Sequence, residues 1–199
     1  GYAEVMRDLP GENTPENVQI IIDETQRLTN LVNDLLDLSK LEAGVVPLDK
    51  TRFNLTDSIR QTLQRYDKLA DYRFPFYADR DVFVTADELR ISQVVYNLVN
   101  NAITYAGADK TITLRQTVGD GMVRISVTDT GEGIPADKLR DIWQRYYKVD
   151  KSHKRAQIGT GLGLSIVKNV MDLHGGRYGV ESQLGVGSTF WFALPLTGE

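Results

Sequence analysis

There is no cysteine anywhere in the 199 residues, which removes disulfides, thiolate metal centres and thiol catalysis together and fits a reducing compartment. No apolar run approaches about 18 residues, so no segment reads as membrane-spanning. No signal peptide is visible in the residues from Gly1-Tyr2 onward. An excess of positive charge is also missing. Lys and Arg number 23 against 27 Asp and Glu, which argues against nucleic acid as the main partner, since phosphate backbones want a basic surface. Acidity still leaves room for a nucleotide, which a few backbone amides, a metal and local cations can hold. Histidine is scarce as well: His153 and His174 are the whole supply of imidazole. With 41% hydrophobic and 25% charged residues, what remains is an ordinary globular composition, enough for one domain plus an appendage or for two small ones.

From Pro15 to about Ala43 apolar residues recur at three- and four-residue steps, from Val18 and Ile21 through Leu35 and Leu38, the period of an amphipathic helix. Gly44 supplies a stop, and Gly44 to Thr51 reads as a linker. Asn54 to about Tyr72 predicts a helix with Leu55, Ile59, Leu63, Tyr66 and Leu69 inward. Val82-Phe83-Val84 predicts a short strand, and Ala86 to Ala106 a helix that buries Leu89, Val94, Val95, Leu98, Val99 and Ala102. Thr111–Thr117 and Met122–Thr128 form a hairpin across Gly119-Asp120-Gly121. Leu162 to Leu173 is a helix, and Arg177–Ser182 and Ser188–Leu194 complete the sheet. Hairpins mixed with helices, without strict alternation, indicate an α+β two-layer sandwich.

Four separated blocks carry the chemistry: Asn97 to Ala102, Asp129 to Ile134, Gly159 to Leu164 and Gly185 to Phe190. Asn97 and Asn101 lie four apart on a helix and point from one face; amide oxygens there suit a hard cation such as Mg²⁺. Asp129 closes a strand ahead of Gly131 and Gly133, where a carboxylate can accept a hydrogen bond from an exocyclic amine while the glycines let backbone come close. Gly159, Gly161 and Gly163 precede an apolar helix, so amides and the helix N-terminus can face phosphate. No Gly-Lys-Ser/Thr follows, which excludes a Walker A loop. Lys148 to Ile158, with Lys148, Lys151, Lys154 and Arg155, reads as a basic lid. His174 closes a helix, where the dipole favours a cation, and neither histidine is assigned a catalytic role.

In order and spacing these blocks resemble the N, G1, G2 and G3 boxes of the ATP-binding domain of bacterial sensor histidine kinases. The stretch Ile142 to Tyr147 resembles the F box, with Trp143 and Tyr146 expected to pack the base of the lid. Glu24 to Gly44 resembles the second helix of the family's dimerisation and phosphoacceptor hairpin. The resemblance implies a Bergerat ATP-binding fold at 46–199, with a mixed sheet and helices on one face, preceded at 1–45 by the end of the helical hairpin. It implies ATP and Mg²⁺ as cofactors, with Asn101 on the metal and Asn97 on the phosphates. Asp129 takes the adenine amino group. Tyr105, Gly131, Gly133, Ile134, Arg145, Lys148, Gly159, Thr160, Gly161, Leu162, Gly163, Leu164 and Thr189 complete the nucleotide contacts.

Thr104 stands where many relatives carry a phosphate-reaching lysine, which shifts that task to Arg145, Lys148 or the lid. The implied partners are a response regulator receiver domain and a second copy of the chain through the hairpin, in the cytoplasm, with a membrane-bound sensor as parent. The acceptor histidine belongs just before Gly1, so these 199 residues are expected to bind ATP without phosphorylating themselves. With part of the hairpin missing, they are expected as a weak monomer or a swapped association through Pro15–Ala43. Three alternatives stand beside this reading. A gyrase-type hydrolase places a glutamate base where Asn97 lies, a serine kinase of the anti-sigma type lacks the leading helix, and a third is a nucleotide-gated interaction module without catalysis.

Overall fold

The computed structural model describes residues 14–42, 47–147 and 161–197. Helix α1 (Pro15–Glu42) comes first, followed by strand β1 (Thr51–Asn54) and helix α2 (Leu55–Gln64). Strands β2 (Phe76–Tyr77) and β3 (Phe83–Ala86) lead into helix α3 (Glu88–Tyr105). Strands β4 (Thr113–Gly119) and β5 (Met122–Asp129), helix α4 (Gly163–His174), and strands β6 (Arg177–Gln183) and β7 (Gly187–Pro195) complete the chain. The main sheet runs β2-β4-β5-β7-β6, antiparallel except where β2 lies parallel to β4; β1 and β3 form a separate antiparallel pair.

Local chemistry sets the boundaries. Asn54 and Asp87 cap α2 and α3 by accepting the N–H groups of Asp57 and Arg90, satisfying donors that a helix start leaves free. Gly175, left-handed at φ 65°, ends α4. Its N–H and that of Gly176 return to the last carbonyls of the helix. Asp120 and Gly121 both have positive φ between the paired residues Gly119 and Met122, the two-residue turn whose twist matches a hairpin.

The sheet is covered on one face. Val123, Ile125 and Val127 on β5 and Phe190, Phe192 and Leu194 on β7 point with period two into the same core as Leu98 and Val99 of α3 and Ile166 and Val170 of α4. The expected two-layer α+β sandwich is the observed fold. Helix α1 packs against α4, with Leu31 on the core. Ile22, Leu28, Val32 and Leu36 remain exposed, so only part of the apolar stripe is covered.

Four expectations need correction. The helix predicted to reach Tyr72 stops at Gln64. The chain then winds through i→i+3 turns from Leu63 to Tyr72, which tuck the Tyr66 ring against Phe74 at 5.1 Å and leave Leu69 40% exposed. Leu89, expected inward, is 76% exposed because helical phase sets it on the face of α3 opposite the buried Ile91, Val95 and Leu98. Thr51 belongs to β1 instead of the linker, and β2 was not foreseen; both strands are short and are held by distant partners. The strand predicted from Thr111 begins at Thr113 and extends to Gly119.

Phe192→Ala should lower the unfolding free energy in urea by about 3–5 kcal/mol through the cavity it leaves. Leu89→Ala should stay within about 0.5 kcal/mol.

Candidate nucleotide site

The site is built around one carboxylate. Asp129 is the last residue of β5, and the period of that strand points it into the core, where it is 2% exposed. Its Oδ1 accepts the N–H of Gly131 at 2.9 Å, whereas Oδ2 is buried with no hydrogen-bond partner. Burial raises its pKa to about 6, against the opposing backbone hydrogen bonds from Gly131 and Ser188. A buried acceptor left half satisfied is costly, and a donor entering here would recover that cost.

The backbone packs so tightly around Asp129 that side chains are excluded. A Cβ on Gly131 would lie 2.0 Å from the Tyr105 carbonyl oxygen. One on Gly187, at φ 133°, would lie 2.1 Å from the carbonyl oxygen of Asp129 itself. The loop carrying Gly133 and Ile134 is fastened to the β6–β7 hairpin. The Ile134 N–H donates to Ser182 Oγ at 2.8 Å, Ser182 donates on to the Gly187 carbonyl at 2.9 Å, and the Gly185 N–H donates to the Glu132 carbonyl at 2.8 Å.

A second group lies about 12 Å away along α3, eight residues at 1.5 Å each from Tyr105 back to Asn97. The Asn97 Nδ2 is buried without a hydrogen-bond partner. Its Oδ1 faces Gly163, the first residue of α4, at 3.5 Å from where a Cβ would stand. No side chain caps that helix start; Leu162 is buried and Ser165 Oγ turns to the Leu162 carbonyl. First-turn N–H groups and the positive end of the dipole are therefore presented beside Asn97. Asn101 and Leu164 are half-buried neighbours. Thr104 directs its hydroxyl to the Asn100 carbonyl at 2.8 Å, bonded to the helix itself.

Gly161 accepts the Tyr146 N–H at 2.9 Å, which places the exposed Arg145 beside it. Trp143 packs edge-on against Tyr178 at 4.8 Å and Phe190 at 6.1 Å, the packing role expected of it. Tyr146, given the same role, is 59% exposed and departs from it. Lys148, Gly159 and Thr160 lie outside the described residues, as does the basic stretch with Lys151, His153, Lys154 and Arg155.

Among the described residues, Thr189 is a predicted contact that the fold directs elsewhere. It pairs with Thr128, hydroxyls 2.9 Å apart, on the sheet face opposite Asp129. Ser188 pairs with Asp129, is buried, and lies 3.0 Å from Ser182 Oγ on the same face. The signal was present in the sequence: Phe190 is a core residue, and period two puts Ser188, not Thr189, on its side.

Comparison with known proteins shows the family. The chain belongs to the histidine kinase-, DNA gyrase B- and HSP90-like ATPase family, whose model matches residues 86–198. A His Kinase A (phospho-acceptor) domain model matches residues 1–44. The sensor histidine kinase WalK of Bacillus subtilis is 32% identical over 206 residues, covering all of this chain and 34% of WalK. The chain thus spans about a third of that relative's length. The nucleotide-free catalytic domain of histidine kinase ThkA has a TM-score of 0.64 at 33% identity, covering 74% of this chain and 95% of that one. ThkA in complex with response regulator protein TrrA reaches 0.76 at 30% identity, covering 98% of this chain and 56% of that one. Full-length ShkA in complex with AMPPNP reaches 0.75 at 28% identity, covering 94% of this chain and 40% of that one.

The raised pKa of Asp129 has a signed consequence. The folded state holds this proton more tightly than the unfolded chain, so stability is greater at low pH and falls as pH rises from about 4 to about 6. Urea unfolding of wild type and Asp129→Asn at pH 4.5, 5.5 and 7 should show their difference moving against wild type by about 2 kcal/mol across that range. A difference constant with pH would rule out the assignment.

Proposed function

We propose that residues 46–199 are the ATP-binding catalytic part of a sensor histidine kinase, with 1–45 the end of its dimerisation and phosphoacceptor hairpin. The observation that carries the nucleotide reading is that two buried atoms without a hydrogen-bond partner, Asp129 Oδ2 and Asn97 Nδ2, flank the stretch of α3 from Asn97 to Tyr105. One is an acceptor and the other a donor. An adenine amino group satisfies the first, and phosphate oxygens satisfy the second together with the uncapped amides of α4. The O6 of a guanine seated in the same way would only accept, and so could not satisfy Asp129.

Asn101, one turn beyond Asn97 on the same face of α3, offers the amide oxygen for Mg²⁺. When bound, that ion neutralises charge on the phosphates. Arg145, next to the Tyr146 that bonds Gly161, supplies a cationic group in place of a lysine at Thr104, and the sequence from Lys148 onward is rich in further cations. Transfer of the γ-phosphoryl group in line to an imidazole nitrogen needs positioning and charge neutralisation from this domain, and little covalent chemistry. A neutral amide at Asn97 cannot take a proton from water, which sets this site apart from the hydrolases of the family. No histidine lies within residues 1–44, so these 199 residues are expected to bind nucleotide without labelling themselves. Phosphate would pass from the phosphohistidine to an aspartate of a response regulator receiver domain. The exposed apolar stripe of α1 suits pairing with a second copy in a helical bundle. The setting proposed is cytoplasmic, within a membrane-bound sensor.

Calorimetric titration of a non-hydrolysable ATP analogue, with and without Mg²⁺, tests the reading. Asp129→Ala should abolish detectable binding, and Asn101→Ala should make the affinity insensitive to Mg²⁺. Ser188→Ala should weaken binding by about tenfold, or about 1.4 kcal/mol, with Thr189→Ala near wild type. No binding by the unaltered chain would sink the nucleotide reading.

A further inference from the structure

Away from Asp129 and Asn97, helices α3 and α4 meet again at His174. This half-buried residue closes α4, and both of its ring nitrogens are engaged. Nδ1 lies 2.7 Å from the Val170 carbonyl oxygen one turn back, and Nε2 accepts the backbone N–H of Asp87 at 3.0 Å. A carbonyl only accepts and a backbone N–H only donates, so the contacts fix the Nδ1–H tautomer of a neutral ring. This corrects the expectation that the helix dipole favours a cation at His174. Burial, the largest cause, holds the pKa below the ordinary value.

Asp87 is itself a junction. Its Oδ1 caps α3 through the Arg90 N–H, and its Oδ2 accepts the Asp49 N–H from the chain entering β1. The three contacts together tie the start of α3 to the end of α4 and to residues 47–50.

The two helices run antiparallel, in contact at both ends: Gly163 lies against Asn97, and His174 against Asp87. The contacts are ten to eleven residues apart on each helix, about 15–16 Å at 1.5 Å per residue. Between them the helices bury aliphatic side chains such as Val95, Leu98, Ile166 and Val170. The hydrophobic term in such packing is non-directional. A hydrogen bond at one end is directional and fixes axial register.

We propose that His174 is a positioning residue for the nucleotide site, its bond to Asp87 setting the register of α4 on α3 and so holding Gly163 against Asn97. The proposal rests on the nucleotide reading for its function but not for its geometry. Protonation of Nε2 would set two donors face to face and release the tie. The folded pKa is depressed, so the tie holds at neutral pH and is lost as pH falls through that lowered value. Lys50 on the entering segment and Asp87 on α3 act on the ring in opposite senses, the first lowering and the second raising its pKa. On α4 itself, Asp172 is already bonded to Lys168.

The test compares wild type, His174→Leu and His174→Gln as 199-residue chains at pH 7.5 and 5.0. It reads ¹H–¹⁵N spectra without nucleotide, then ATP-analogue affinity. His174→Leu should displace the Gly163 amide and Asn97 side-chain signals and weaken binding about 3- to 10-fold. His174→Gln, whose Oε1 can replace Nε2 as acceptor, should keep wild-type signals and affinity at pH 7.5. It should also lose the acid-induced change that wild type shows beyond the shared titrations of Asp129 and the phosphates. Unmoved Gly163 and Asn97 signals in His174→Leu, or an identical acid response in His174→Gln, would overturn the proposal. If His174→Leu fails to fold, the glutamine variant decides. Displaced signals in a chain that binds no nucleotide would sustain the tie and remove the functional reading instead.

Discussion

A carboxylate placed in an apolar core is the constraint around which the rest of the site is arranged. Asp129 continues the inward alternation of Val123, Ile125 and Val127, at a position where a hydrophobic residue would cost nothing. One oxygen is satisfied by the Gly131 amide and the other is left orphaned. Burying that acceptor is unfavourable, and the same burial makes its hydrogen bond to an incoming donor strong, because water no longer competes. In the proposed reading, that incoming donor is the amino group of a nucleotide base.

The surrounding backbone maintains this condition. Tyr105, Gly131 and Gly187 approach so closely that no Cβ fits, and the β6–β7 hairpin clamps the following loop through Ser182 and Gly185. Helix α3 serves as the ruler of the cleft. Its end at Tyr105 abuts the carboxylate loop, and its middle at Asn97 abuts the uncapped start of α4. The distance between the two ends is fixed by helical rise alone. The angle and register of α4 against that ruler are tertiary quantities, to which the His174–Asp87 contact adds direction.

Much of this was legible in the residues because the signals are local. Asp120-Gly121 specifies its own turn, Asn54 and Asp87 specify helix starts, and glycine runs beside Asp129 and Gly163 announce close backbone approach. The helix over Pro15–Glu42 was visible from its period. What failed locally was decided by partners far along the chain. Residues 65–72 could continue a helix, but tight turns that pack Tyr66 on Phe74 displace it. β2 exists only because β4, 38 positions later in register, offers it a ladder.

The sequence by itself determined the fold class, the order of elements and the chemical character of the cleft, since apolar period, turn residues and the Asn, Asp and Gly positions express short-range sterics and hydrogen bonding. Tertiary structure alone decided that Asp129 keeps an unpaired oxygen, that α4 opens its uncapped end on Asn97, and that His174 is a neutral tautomer. Each of these depends on which groups a residue meets across the core, and such meetings are made by packing between segments that the local sequence does not encode.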